Sequence, residues 1–174
     1  MDLIDTLVEL IDMRSFSNLW FWIALAVVWS SASHWVLGVP IDLVYRAGRK
    51  GGQAERDLED LVRVNVNRML YITEVSGVWL LGFGCFILSG LFVLGLFYDV
   101  EFAQAVFLLS FPLTLVGLVS LATAIRIERE QITGADLRKA LVRCRLYIQM
   151  IGMIAIFVTA MWGMFQNLRL GFLG

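Results

Sequence analysis

Long apolar runs alternate with short polar stretches along this chain. Four runs, 18–44, 71–98, 102–124 and 146–168, reach the roughly 20 residues a helix needs to cross a bilayer core. The pattern predicts an all-α integral membrane bundle of four transmembrane helices, a single membrane domain over residues 1–174. The stretches between runs keep helical spacing of their own. Leu58, Leu61, Val62 and Met69 share one side of 54–70, which predicts a helix that continues into the second span with a bend near Asn65 or Asn67. Ile132-Thr133-Gly134 breaks the pattern after the third span. Thr133 with Asp136 three residues on resembles an N-cap arrangement, so a further helix is expected to start there and run into the last span. At the N-terminus, Leu3, Ile4, Leu7, Val8 and Ile11 lie on one stripe with Asp2, Asp5, Glu9 and Asp12 opposite, predicting a short interfacial helix over 2–12. Pro40 is expected to bend or end the first helix and Pro112 to kink the third.

Composition agrees with a membrane reading. Of the residues, 59% are hydrophobic and 17% charged, and the mean hydropathy is +0.78; a soluble domain carries about a quarter charged residues. The net charge of −1 argues against a nucleic-acid partner, which needs a basic surface. Twelve of the 14 Lys and Arg residues fall in two connectors. Residues 46–68 hold six basic and four acidic side chains, and 126–145 hold six and three. The tail before Asn18 sets Asp2, Asp5, Glu9 and Asp12 against Arg14, and the short loop between spans two and three carries Asp99 and Glu101.

Basic residues near span ends stay in the cytoplasm. The connectors 45–70 and 125–145 are therefore expected inside, as helical extensions. Both termini and the Asp99–Glu101 loop are expected in the periplasm of a bacterial inner-membrane protein. Tyr45, Tyr71 and Tyr147 would mark the inner interface, and Trp20, Trp22, Tyr98 and Trp162 would lie toward the outer one. Ser31-Ala32-Ser33 is a passable signal-peptide cleavage site, but the acidic N-terminal region argues against cleavage.

Candidate chemistry is sparse. His34, the single histidine, falls near the middle of the first predicted span, on a face with Ser30, Ser31 and Gly38. An ionisable group at that depth faces protein or water. It reads either as a relay or ligand contact or as a neutral imidazole hydrogen-bonded between helices. Asp42 and Glu74 are the carboxylates inside the predicted spans, each about a turn from the inner border, with Gln149 at similar depth. They read as an ion site of a transporter or as an ion-paired rim with Arg46 and Arg126. Small residues form stripes suited to close helix approach: Gly82, Cys85 and Ser89; Ser110, Thr114 and Gly117; Gly152, Ala155, Thr159 and Gly163. Cys85 and Cys144 show no metal-ligand spacing and read as packing residues. There is no Walker A, GxSxG, HExxH or Rossmann glycine pattern, so no catalytic residue, cofactor or metal is expected. The two halves also echo one another, Asp57-Leu58 and Leu61-Val62-Arg63 against Asp136-Leu137 and Leu141-Val142-Arg143.

Several words along the chain carry a resemblance. Glu9-Leu-Ile-Asp-Met-Arg-Ser-Phe-Ser-Asn-Leu-Trp20, Ser30-Ser-Ala-Ser-His34-Trp35, Gly38-Val-Pro40, and Asp57-Leu-Glu-Asp-Leu-Val with Asn65-Val-Asn-Arg68 are of this kind. The chain resembles, over most of its length, a family of small bacterial four-span inner-membrane proteins catalogued as a component of the SufBCD iron–sulfur assembly complex. The resemblance brings no catalytic motif. It implies a membrane tether with basic cytoplasmic helices as docking surface, since two isolated cysteines hold no cluster. Small size, short outer loops, the packing stripes and the lack of a reactive constellation give the expected function, a non-catalytic accessory, assembly or scaffold subunit of a larger inner-membrane complex whose partners are lipid and other membrane or cytoplasmic subunits; the link to iron–sulfur assembly comes from the resemblance alone. The alternative is a small oligomeric transporter or channel with a polar path through His34, Glu74 and Asp42.

Overall fold

A computed structural model describes residues 16 and 18–171. Among them the order is α1 (Leu19–His34), β1 (Trp35–Val36), β2 (Val39–Pro40), α2 (Ile41–Lys50), α3 (Gln53–Leu96), α4 (Glu101–Glu130) and α5 (Gly134–Gly171). The chain is overwhelmingly helical, and α3, α4 and α5 are long and apolar enough to cross a membrane. The interfacial helix expected over 2–12 lies outside the described residues.

The segment 18–44 departs from expectation. Instead of one span it forms a helix, a hairpin and a second helix. Asn18 caps the start of α1, its side chain accepting from the Trp20 amide at 3.0 Å. The helix stops at His34, after 16 residues. That is ~24 Å of helix, short of a hydrocarbon core of ~30 Å. Leu37 and Gly38 both take positive φ, 53° and 72°, and turn the chain back on itself. Trp35 pairs with Pro40 and Val36 with Val39 in an antiparallel ladder. Two central residues at positive φ make the hairpin turn that matches strand twist. Pro40, expected to bend or end the first helix, acts six residues later than the break and instead sits ahead of α2, where a missing N–H does no harm. His34 consequently stands at a helix end and not at mid-span.

The rest of the helical pattern is as the periodicity predicts. α3 runs uninterrupted for 44 residues, ~66 Å, through Asn65 and Asn67. α4 continues through Pro112. It ends in a Schellman motif: Gln131 is left-handed, its N–H reaches the Glu128 carbonyl, and the Ile132 N–H reaches the Ile127 carbonyl at 3.2 Å. α5 then starts at Gly134, with the Leu137 N–H on the Thr133 carbonyl.

The larger core lies where the two basic connectors meet, here called the connector end. Val36, Val39, Val44, Leu58, Val62, Val66, Ala124, Leu137, Leu141, Cys144 and Ile148 form one buried cluster. α2 contributes Ile41, Val44 and Ala47 to it and leaves Asp42, Tyr45, Arg46 and Arg49 in solvent. The echoed words of the two halves both land in this cluster, Leu58 and Val62 from α3 and Leu137 and Leu141 from α5. Glu59 accepts the Gly134 amide at 2.7 Å, an anion at a helix N-terminus, and Glu55 pairs with Arg138 alongside it.

Along the apolar lengths, α1 lies in the groove between α4 and α5. Leu25 and Trp29 pack with Ala155, flanked by Leu109, Leu113, Val116 and Ile151. α3 is peripheral. None of its most apolar 18 residues is buried, whereas 17% are in α4 and 28% in α5.

Candidate functional site

The sequence-predicted polar residues do not form one path. His34 and Asp42 come together because the hairpin folds α2 back on the end of α1. His34 Nε2 stands 4.0 Å from Asp42 Oδ2, with 44% and 83% of the two side chains exposed, so any pairing is water-screened and weak. Ser30 and Ser31 are exposed, and the Ser30 carbonyl accepts from Ser33 Oγ at 3.0 Å. Glu74 is exposed on α3 and Gln149 half-buried on α5; neither makes a hydrogen bond or ion pair among the described residues.

The stronger polar contact at this end centres on Arg145. Its Nε donates to the Ser33 carbonyl at 3.1 Å and its Nη1 to the Tyr45 hydroxyl at 3.0 Å. A cation at the C-terminus of α1 satisfies a carbonyl with no intrahelical partner and complements the helix dipole. Arg145 therefore ties α5, α1 and α2 together.

A second polar network lies at the opposite end, around the loop 97–100. Gln104 is 6% exposed and uses both ends of its amide. Nε2 donates to the Gly95 carbonyl at 2.9 Å and to Asp99 Oδ1 at 3.0 Å. Oε1 accepts from Trp162 Nε1 at 2.9 Å and from Gln166 Nε2 at 2.6 Å. Arg169 closes the network on Asp99 Oδ2. Partial burial pushes the Asp99 carboxyl up, but the hydrogen bond and charge of Arg169, with the amides of Gln104 and Gln166, hold it below its ordinary value. Beside it, Glu101 Oε1 accepts the Phe16 amide at 2.7 Å, and the Phe16 carbonyl accepts from Trp22 Nε1 at 3.1 Å.

Sequence reasoning singled out none of Gln104, Gln166 and Arg145. Gln104 carried a usable signal, a lone amide inside the third apolar run, because buried amides need partners as charged groups do. Arg145 carried none, since its partner carbonyl exists only once α1 stops at His34.

The small-residue stripes separate by helix. On α5, Gly152, Ala155, Thr159 and Gly163 are all buried. A Cβ on Gly152 would meet the Trp29 ring at 2.8 Å, and one on Gly163 would meet Phe16 and Trp22 at 3.2 Å. This stripe seats α1. Two donors in the interior, Trp29 Nε1 and Thr159 Oγ1, are buried without a hydrogen-bond partner among the described residues. On α3, Gly82, Cys85 and Ser89 are all exposed, and no other described residue lies within 4 Å of a Cβ at Gly82. They sit roughly 120° around the helix from the more buried edge of Gly84, Leu88, Leu91 and Gly95, and Gly95 meets α4 at Gln104. On α4, Ser110 is half-buried, with Thr114 and Gly117 exposed. Cys144 is buried at the connector end, away from the exposed Cys85.

Among the described residues, no three His, Cys, Asp or Glu side chains gather to hold a metal ion. No protein family, curated protein or solved structure matches this chain.

Proposed function

We propose that this chain is a non-catalytic accessory, assembly or scaffold subunit of a larger bacterial inner-membrane complex, joined to its partner through α3. One observation carries the reading: the Gly82, Cys85 and Ser89 stripe is left uncovered on the one long helix that is peripheral in the bundle. Against lipid, a small side chain gains nothing over a large one. Against another helix it lets backbones approach, and packing is what drives helix association in membranes. The exposed α3 surface around the stripe, with Val78 and Phe86, would close over a partner helix.

In this reading the connector end faces the cytoplasm and the 97–100 loop faces the periplasm, the orientation that the basic connectors favour. α1 makes a short fourth crossing, held at one end by Phe16 and at the other by Arg145. The basic connector end is the docking surface for a soluble partner, and the family resemblance makes iron–sulfur assembly machinery the first partner to test.

The test is purification in mild detergent with identification of co-purifying chains, for the wild type and for Gly82→Ile. A defined partner held by the wild type and lost from the variant is expected. A lone monomer under every mild condition sinks the proposal. Reporter fusions at Gly51 and Asp99 check the orientation, and a cytoplasmic Asp99 reverses it. The transporter reading keeps one supporting observation, the approach of His34 to Asp42. A His34→Phe variant that assembles and behaves as wild type removes it.

A further inference from the structure

The cleft between α3 and α4 near the connector end has a form that the subunit reading does not use. Its volume is about 450 Å³. Its mouth is formed by Asn65 and Arg68, and its walls by apolar side chains that include Ile72, Leu80 and Leu121, with Gly117 opposite. Arg68 is the single charged residue lining it, and no carboxylate borders it. Two neighbouring cations, Arg63 on α3 and Arg126 on α4, are paired, with Asp60 and Glu130. Arg68 makes no hydrogen bond or ion pair among the described residues. Among the described residues nothing lies within 4 Å of a Cβ at Gly117, so the α4 wall is hollowed at that point.

From Arg68 to Leu80 along α3 is ~18 Å, close to the ~15 Å depth of one hydrocarbon leaflet. Tyr71, an interfacial type of side chain, lies one turn beyond Arg68 and is exposed. The cation thus falls at headgroup level, with an apolar trough of leaflet length beneath it. We propose that this cleft binds one anionic phospholipid of the cytoplasmic leaflet, its phosphate on Arg68 and an acyl chain along Ile72, Leu80 and Leu121 over Gly117. A basic pocket between membrane helices on the cytoplasmic side suits an anionic headgroup. The apolar trough makes a lipid, and not a free phosphate, the occupant. The proposal rests on the orientation given above and is independent of the α3 partner.

The test measures phosphatidylglycerol binding by native mass spectrometry and by the thermal shift it produces in detergent. Phosphatidylcholine and inorganic phosphate serve as the other arms. Wild-type protein should hold phosphatidylglycerol in preference to phosphatidylcholine and ignore phosphate. Arg68→Gln should weaken phosphatidylglycerol binding roughly fivefold, about the contribution of one cation near a membrane surface. Gly117→Leu, which fills open space, should displace the lipid with Arg68 intact, and Gly117→Ala should do so partially. Equal retention of phosphatidylcholine, a phosphate-induced shift of the same size, or unchanged binding in both Arg68→Gln and Gly117→Ala would each overturn the proposal. Loss of the α3 partner in Gly82→Ile leaves these outcomes untouched, so the two proposals fail separately.

Discussion

Gly152→Ala should destabilise the bundle, although the same change in an open helix position stabilises one. Alanine is favoured over glycine in a helix interior by about 1 kcal/mol. At Gly152 that gain meets the Trp29 indole. The new methyl would stand 2.8 Å from Cε3 and 3.3 Å from both Cδ2 and Cζ3. Those are atoms of a fused ring that is 5% exposed, packed with Leu25 and Ala155, and not the free end of a flexible chain. Forcing a methyl into such a contact costs typically 1–3 kcal/mol. The net expectation is a loss of up to about 2 kcal/mol. Gly90 supplies the contrast, since a Cβ there meets nothing within 4 Å, and Gly90→Ala should gain about 1 kcal/mol.

The assay is reversible unfolding in mixed micelles, followed by far-ultraviolet circular dichroism, for wild type, Gly152→Ala, Gly90→Ala, Trp29→Leu and the Trp29→Leu/Gly152→Ala pair. Trp29→Leu removes the ring that the methyl would strike. Gly152→Ala should therefore cost less in that background, with a coupling of about 1–2 kcal/mol, inside the range that touching residues show. A Gly152→Ala variant at least as stable as wild type, with no coupling to Trp29, would falsify the placement of α1 against α5. It would also release Arg145, because the Ser33 carbonyl it holds lies one turn beyond Trp29.

Two further outcomes follow from the Gln104 network. Gln104→Leu leaves Trp162 Nε1 without its acceptor and takes one of two acceptors from the Gln166 amide, so the loop end should lose about 1–2 kcal/mol, between the cost of a stranded buried donor and the smaller mean for hydrogen bonds between membrane helices; the same unfolding series checks it, and an unchanged midpoint removes the network from the stability account. Asp99 has a lowered carboxyl pKa when folded, so its contribution is complete above the ordinary carboxylate range and fades as pH falls through the folded value. Wild type should therefore lose stability relative to Asp99→Asn on acidification, modestly because both Asp99 and Arg169 are 48% exposed, and parallel pH curves for the two would sever the Arg169 contact from stability.

Much of the fold was legible because periodicity reports which face of a helix is apolar, whatever that face packs against. The long helices α3 and α5 could be traced from Leu58 and Val62, and from Leu137 and Leu141, straight through the connectors into the apolar runs. What periodicity cannot report is a break inside an apolar run. Every residue of 35–41 except Gly38 is apolar or proline, so hydropathy passes over the hairpin without a mark. The signals were conformational: Gly38 and Pro40 two residues apart, with β-branched Val36 and Val39 between and beside them. The stripes were equally visible, but stripe composition does not distinguish a face that seats a helix of the same chain, as Gly152 does, from one left open, as Gly82 is.

That distinction decides how the candidate site should be read. A glycine opposed by an indole at 2.8 Å is already in use, and its replacement tests the fold. A glycine with nothing within 4 Å, on a helix whose most apolar 18 residues are all unburied, packs against no other described residue. A large apolar residue there would remove the cost of a helical glycine and leave lipid contact intact. Small residues at 82, 85 and 89 therefore carry a small intrinsic penalty, which the partner helix proposed above would offset. The same reasoning separates Gly117 from Gly82: Gly117 hollows a cleft headed by an arginine without a partner among the described residues, the place proposed for an acyl chain, whereas Gly82 lies on a stripe with no charged residue from 75 through 98, the place proposed for a second helix.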